Sequence, residues 1–400
     1  MKIFFSFLLI IFLAFSGYHL SFRNFRLPLF ARKFYLTGTE FLFLGLLLGP
    51  QFLNILDDNT FRGLEPLSAL LLGWIGLLFG FQFEISKLRR FPFEFFIAAI
   101  LEGAMTFLFV FFGVILFYKS GLLNTNLSGP TILIVALTLS AAAACTAQTG
   151  VVLLASEKVA KHRQTVKILR YISSIDGLFA IVIFGVTIML RPEIYSGSPL
   201  VNWLGWTTFI SLSACAGLLM LYILFFTQRR EESELTLVVI GMVMFTSGAS
   251  SVLNMSPLFT NFFIGFCLVN LTREKEKIFN ILVTIEKPVY LLLLVFLGRS
   301  WQLSSAWIIF LAAIYCIHRA AGKITGGFII TRLGPALKLQ PSNLGFGLLE
   351  QGGLALAILF DYHQNFPGDI TAQVVSLALL AIIYNEFLSP NFLNRLLKDD

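Results

Sequence analysis

The chain has 400 residues, of which 57% are hydrophobic and only 13% charged, with a formal net charge of +7. A soluble protein of this length carries about twice that charged share, so the surface that fits this composition is one facing lipid. Apolar runs of roughly 20 residues recur along the whole chain, which excludes barrel strands and asks for membrane-spanning helices. The positive balance does not argue for a nucleic-acid partner. The basic residues sit in short loops between apolar runs, where they act as topology signals.

In chain order, spans are predicted near 3–20, 36–56, 66–84, 93–118, 130–155, 168–190, 203–227, 235–254, 257–272, 278–298, 305–331, 343–362 and 368–390, thirteen in all. The first run has a second reading. Lys2 followed by a long apolar stretch, with Ser16 before a cut, also suits a cleaved signal peptide. Charge tests the count: the odd-numbered loops hold 19 lysines and arginines, from Arg23 to Lys338, whereas the even loops hold 4, namely Arg62, Lys119, Arg191 and Arg299. Positive residues collect on the cytoplasmic side, so the odd loops and the C-terminus are expected inside and the N-terminus outside. Trp203, Trp206, Trp301 and Trp307 flank two even loops and suit an outer aromatic belt.

Ionisable residues deep in a span are costly and point to function. Glu102, Asp176, Glu286, Lys287, Arg319, Lys323 and Glu350 are such residues. At about 1.5 Å per helical residue, Glu102, Asp176, Arg319, Lys323 and Glu350 fall roughly 10–18 Å from the inner face of a core about 30 Å thick. Charges of both signs therefore converge near the midplane. Glu286 beside Lys287 is expected to be a structural ion pair. Asp176 is different: it lies in "YISSIDGLFAIVIF", after Ser173 and Ser174 and before Gly177. A carboxylate taken out of water resists ionising alone, and a cation or a nearby base steadies its charge. Such a group can hold a proton and a cation by turns.

Two spans are expected to break. The fifth, "ALTLSAAAACTAQTGVVLLAS", is small in its first half and holds Thr146, Gln148, Thr149 and Gly150 in its second. The twelfth, "NLGFGLLEQGGLALAIL", carries Glu350, Gln351, Gly352 and Gly353 at its centre. Close packing through small residues explains such stretches; so does a broken helix whose freed carbonyls line an ion site. The breaks are seven spans apart, so helices paired at that offset run in opposite directions. Spans 1–6 and 8–13 are then inverted repeats around a linking seventh, and Glu102 on the fourth span matches Arg319 and Lys323 on the eleventh.

Other chemistry finds little support. Cys145, Cys215, Cys267 and Cys316 lie inside apolar runs without metal-ligand spacing, and His19, His162, His318 and His363 are scattered. There is no phosphate loop or dinucleotide signature, and no paired catalytic aspartates or serine–histidine motif. Neither an enzyme nor a cofactor is expected.

The order of several short motifs resembles the monovalent cation/proton antiporter superfamily, of sodium/proton exchanger and potassium-efflux type, along almost the whole chain. "GLLLGP" (Gly45 to Pro50) is similar to that family's second-helix signature, and "GLLFGFQFEISKLRR" (Gly76 to Arg90) to a later segment with its basic tail. "NFFIGFCLVN" (Asn261 to Asn270), "GKITGG" (Gly322 to Gly327) and "EQGGLALAI" (Glu350 to Ile358) resemble further family helices, the last closest to the potassium-efflux branch. The resemblance implies an all-α polytopic fold with two crossing broken helices. It implies scaffold or dimer helices in 1–84 and 235–298, core helices in 93–190 and 305–390, and a linker helix at 203–227. It further implies a homodimer in a bacterial inner membrane, which exchanges Na+ or K+ for protons as the core moves against the scaffold. Asp176 would bind both the proton and the cation. Thr146, Gln148, Thr149, Ser174 and Gln351 are candidate ion-site polar residues, and Lys323, Arg319 and Glu102 are candidates for charge balance or proton coupling.

The sequence departs from the family at three points. Ile175 stands where an Asp, Asn or Gln usually precedes the ion-binding aspartate. "TAQTG" has no aspartate at the fifth-span break. Tyr171 stands where one branch has a glutamate that pairs with a basic residue. Cation selectivity and proton ratio are thereby left open. A sodium-coupled organic-anion symporter of similar fold, a channel and a non-transporting sensor are the competing readings.

The loop charges generate a prediction about topology. Single cysteines placed within 157–167 and near residue 195 are expected to react with impermeant reagents from opposite sides of the membrane. Labelling from the same side contradicts the thirteen-span arrangement.

Overall fold

The computed structural model describes residues 2–21, 38–120, 127–147, 163–190, 232–302 and 306–396. All regular structure among them is helical: α1 (Lys2–Ser21), α2 (Thr39–Leu48), α3 (Asp58–Gly63), α4 (Glu65–Phe81), α5 (Phe93–Lys119), α6 (Gly129–Ala144), α7 (Arg163–Met189), α8 (Glu232–Val252), α9 (Pro257–Leu271), α10 (Lys275–Arg299), α11 (Ala306–Ile330), α12 (Gly353–Asn365) and α13 (Asp369–Leu396), with short turns between. Six of them, α5, α7, α8, α10, α11 and α13, are long and apolar enough to cross a membrane. The predicted seventh span, with Trp203 and Trp206, lies outside the described residues, as do Gln148 and Thr149.

Most expected boundaries fall within a few residues of the observed ones. The second span is an exception. The sequence predicts 36–56, but the regular helix there is Thr39–Leu48 and stops at Gly49, whose extended backbone (φ −71°, ψ 177°) turns the chain away. Pro50 follows and cannot continue the helical ladder. The irregular stretch beyond it closes on itself, Asn54 N donating to Gly49 O at 2.9 Å with Asn54 in a left-handed conformation (φ 51°). Helix starts follow side-chain capping. Asp57 Oδ1 accepts from Thr60 N at 2.8 Å, and Ser256 Oγ from Phe259 N at 2.9 Å.

The chain forms two compact units: Met1–Ser86 with Tyr195–Gln302 and His363–Asn365, and Lys87–Ile194 with Leu303–Tyr362 and Phe366–Asp400. In the first, helices meet through small residues. A Cβ on Gly76 of α4 would overlap the Leu258 carbonyl of α9, and one on Gly45 of α2 would overlap the Val295 carbonyl of α10. Backbones that close need glycine, and inside lipid such contacts take the place of a hydrophobic drive. Polar side chains fix the ends. Arg299 pairs with Asp58, donates to Leu56 O at 2.9 Å and lies 4.4 Å over the Phe61 ring. Lys2 pairs with Asp57 at 2.6 Å and, together with Thr60, holds that carboxyl below the usual carboxylate range.

In the second unit α5 packs against α6, α7 and α11, and the 3-10 turn Leu344–Leu348 packs against α11 and α13. The expected break in the twelfth span is described whole; that in the fifth is described as far as Ala147, and the rest of that span lies outside the described residues. α6 ends at Ala144 and Cys145 turns extended (φ −61°, ψ 134°). The twelfth predicted span consists of the 3-10 turn, an irregular stretch ending in an extended Gly352 (φ −119°, ψ −170°), and then α12. The two breaks touch, Ala147 N donating to Glu350 O at 2.9 Å.

The glycine contacts separate two otherwise similar substitutions. Gly76→Ala forces a methyl group into a backbone oxygen and is expected to cost about 1–3 kcal/mol. Among the described residues nothing lies within 4 Å of a Cβ at Gly241 in α8, so Gly241→Ala is expected to be neutral or to stabilise by up to about 1 kcal/mol. Thermal unfolding in detergent checks both. Equal effects on melting contradict the packing assignment.

Candidate functional site

The break in α6 leaves four successive carbonyls without helical partners, from Ala142 to Cys145, in the interior of the unit. The last four C=O groups of any helix need donors from elsewhere, and here Ala141 to Ala144 are fully buried. Side chains supply the donors. Gln351 Nε2 donates to Ala142 O at 2.8 Å, Arg319 Nε to Ala143 O at 2.9 Å, Lys323 Nζ to Ala144 O at 2.7 Å and Arg319 Nη2 to Cys145 O at 3.0 Å. Two of these groups are cations at the negative end of a helix dipole, where positive charge is favoured.

Arg319 also holds the second break, its Nη1 donating to Leu349 O at 2.5 Å and its Nη2 to Glu350 O at 3.3 Å. The planar guanidinium thus ties the end of α6 to the stretch before α12. The sequence offers Lys323, favoured by the "GKITGG" register, or Arg319, one turn away on the same helix face, as the partner of Glu102. The structure assigns that contact to Lys323 and gives Arg319 carbonyl partners.

Lys323 lies one turn further along α11 and bridges two carboxylates. Its Nζ is 3.0 Å from Glu102 Oε2 and 3.2 Å from Asp176 Oδ2, and all three side chains are fully buried. Its Nζ also donates to Thr146 Oγ1 at 2.9 Å. The Thr146 hydroxyl donates to Asp176 Oδ2, and Thr146 N lies 3.4 Å from Asp176 Oδ1. Glycine makes this approach possible. A Cβ on Gly322 would lie 2.6 Å from Thr106 Cα, so α11 comes close enough to α5 for Lys323 to reach Glu102. Thr106 Oγ1 donates to the other Glu102 oxygen at 3.3 Å.

The structure therefore gathers Asp176, Thr146, Lys323, Glu102 and Arg319 in one cluster, with Gln351 at its edge. Gln351 accepts from Asn385 Nδ2 at 3.3 Å and donates to the Tyr315 hydroxyl at 3.2 Å. Ser174 takes no part in the cluster. It lies two residues before Asp176 and so projects from a different side of α7. Glu350 is buried at the second break. Glu286 and Lys287 lie in α10, which belongs to the first unit. Sequence reasoning missed Tyr315 and Asn385. Tyr315 donates to Leu139 O at 3.2 Å, and its spacing from Arg319 and Lys323 marks one polar stripe along α11 that helical periodicity could have revealed.

Among the described residues no three His, Cys, Asp or Glu side chains are grouped as a resident metal site. The cluster instead holds two carboxylates, Glu102 and Asp176, and Asp176 has a hydroxyl and a helix end beside it.

No protein-family model matches the sequence, and no curated protein matches it either. Among solved structures, the fold is similar to that of the sodium proton antiporter MjNhaP1 from Methanocaldococcus jannaschii, with a TM-score of 0.68, 17% identity and coverage of 100% of both chains. The chain thus shares the fold of that antiporter, helical in all regular structure among the described residues, and its long apolar helices make it an integral, multi-pass membrane protein.

The carbonyl clamp can be tested by itself. Lysine presents its donors from a single nitrogen and cannot reproduce the guanidinium fork. Arg319→Lys is therefore expected to leave at least two carbonyls unpaired, at about 1–3 kcal/mol each. Thermal denaturation in detergent checks it, and an unchanged melting temperature shows the clamp to be dispensable.

Proposed function

We propose that the protein exchanges a monovalent cation, Na+ or K+, for protons across the membrane, with Asp176 as the shared binding group. The observation that carries this reading is the setting of Asp176. It is a fully buried carboxylate beside two helix breaks, held by groups that can let go of it, namely the Thr146 hydroxyl and the Lys323 ammonium. A cation arriving at Asp176 displaces the proton or the ammonium. A proton arriving displaces the cation. Alternating access exposes Asp176 to each side in turn, so that neither ion crosses without the other.

The remaining assignments belong to the same proposal. Residues 93–190 and 305–390 form the transporting core. Residues 1–84 and 235–298 form the scaffold and the face of a homodimer, and 203–227 links the two. The N-terminus is outside and the C-terminus cytoplasmic, in a bacterial inner membrane. Thr146 is the first candidate to share the cation with Asp176, and Gln148 and Thr149 continue the same segment. The competing symport of an organic anion needs a cation with room for a carboxylate. Arg319 is committed to four carbonyls and Lys323 to Glu102, which favours the exchanger.

Purified protein in proteoliposomes with an internal pH dye tests the proposal, with sodium, potassium and lithium supplied in turn. The wild-type chain is expected to move protons against at least one of them. Asp176→Asn keeps the side-chain volume and removes the charge; it is expected to fold and to fall to the level of empty liposomes. Normal exchange by a folded Asp176→Asn chain refutes the assignment.

A further inference from the structure

A cavity of about 140 Å³ lies within the second unit, between α5, α6, α11 and α13, and none of Glu102, Asp176 and Lys323 lines it. Its wall is apolar: Val110 and Val114 of α5, Val135 of α6, Leu311 and Ile314 of α11, and Val374 of α13. From Val110 to Tyr118 the α5 wall is roughly 12 Å long, at about 1.5 Å per helical residue. So small a volume over that length makes a slot and not a chamber. The polar side chains on the wall are turned to backbone. The Tyr118 hydroxyl donates to Leu127 O at 3.0 Å and that of Tyr315 to Leu139 O at 3.2 Å, while His318 Nδ1 lies 2.9 Å from Ile314 O. Cavities of this size with apolar walls take up apolar molecules in preference to water, and the wall gains dispersion contacts with them.

One end of the slot is polar. Gln373 of α13 lines it, is exposed, and has no hydrogen-bond partner among the described residues. Lys119 follows Tyr118 at the end of α5, is exposed as well, and has no ion-pair partner among the described residues. Asp369 lies one turn before Gln373 on α13, so negative charge is better placed on the α5 side. Nearby, α5 and α11 expose Leu116, Trp307 and Ile317. On helices that cross a membrane, such faces meet lipid.

We infer that this slot is a phospholipid site. One acyl chain lies along the wall from Tyr118 down to Val110, an ester carbonyl accepts from the Gln373 amide, and the phosphate pairs with Lys119. An amphiphile alone satisfies both ends. A sugar or a small ion in the slot would bury polar groups against valine and isoleucine without partners. A plain alkane would fill the wall and leave the Gln373 amide and the Lys119 ammonium unused. Lysine is suited to the task, since its stem lies on apolar surface while its charge reaches the headgroup level. The inference needs the membrane setting and is independent of the exchange proposed at Asp176.

Native mass spectrometry tests it. The full chain in detergent is loaded with dioleoyl phosphatidylglycerol and released from the micelle at rising collision energy. The expected result is one phospholipid per chain that persists after the others are stripped. Absence of a persistent lipid, or a persistent mass that matches the detergent at every lipid concentration, overturns the inference. Val135→Trp fills the slot from α6 and is expected to abolish the persistent lipid, whereas Leu116→Trp on the exposed face of α5 is expected to keep it. Equal retention in wild type and a folded Val135→Trp chain places the lipid elsewhere and overturns the assignment. Should Val135→Trp fail to fold, Leu311→Trp, at a half-buried position of the wall, blocks the slot in its place, with the same two outcomes. Gln373→Leu and Lys119→Gln are surface changes that leave the slot open. Each is expected to weaken retention about tenfold, as the loss of one hydrogen bond to a polar or charged headgroup does. Undiminished retention in both overturns the placement of the headgroup.

Discussion

The second unit is organised around a helix that ends in its buried interior. When α6 stops at Ala144, the carbonyls of Ala142 to Cys145 point into that interior. Each unpartnered polar group there costs as much as a lost hydrogen bond or more. The unit can fold only if donors are delivered to that spot, and α11 brings two in a fixed register, Arg319 and Lys323. Their cationic heads also answer the partial negative charge of the helix end. Two buried cations then call for buried anions, and Glu102 and Asp176 supply them. The ionic cluster thus follows from the broken helix, which has to be there for backbone to line a site.

The two cations do different work because their chemistry differs. The guanidinium is planar, presents several N–H groups in fixed directions and does not titrate. At Arg319 this makes a brace between two breaks, joining Ala143 and Cys145 on one side to Leu349 and Glu350 on the other. The ammonium of Lys323 is a compact charge on a flexible stem. It can shift among neighbouring oxygens without rearranging the backbone. A site that must bind and release an ion needs both properties, rigidity in the backbone oxygens and mobility in the counter-charge. Here they lie one helical turn apart on α11.

Much of this was legible in the sequence, for identifiable reasons. Spans are set by the length of apolar runs, and most observed helix limits lie within a few residues of the expected ones. The second helix is shorter than its apolar run because Gly49 and Pro50 stop the ladder while the residues beyond them remain apolar. Hydropathy does not register that event. Ionisable residues in apolar surroundings stand out by their cost, so Glu102, Asp176, Arg319, Lys323 and Glu350 can be picked one by one. Their partners are harder to choose: the register of "GKITGG" favours Lys323 over Arg319 for Glu102, and that contact is the one observed. Glu102 faces Lys323 because glycines bring α11 against α5, a contact that depends on which faces of two distant segments meet. Ser174 is attractive through its nearness in sequence to Asp176, but a step of two residues on a helix leads to another side. The carbonyl partners of Arg319 are invisible to any reading of side chains.

Asp176 and Glu102 are both buried carboxylates on the same lysine, yet their surroundings differ, and the difference is what favours Asp176 in the proposed exchange. Glu102 lies on the uninterrupted helix α5 and is held by Lys323 and Thr106, with α11 packed over it through Gly322 and Gly326. A cation reaching it would have to displace the lysine from its stronger contact and push apart a pair of helices whose backbones touch. Asp176 faces the ragged end of α6. Its partners are a hydroxyl, which can turn from donor to acceptor, the Thr146 N–H of the same segment and the longest of the four lysine contacts. Beside it stand oxygens from irregular backbone, such as the Leu348 carbonyl 3.5 Å from Thr146 Oγ1. In the proposed exchange, the carboxylate beside the irregular backbone is the one that trades a proton for a cation, while the one on the uninterrupted helix stays with the lysine.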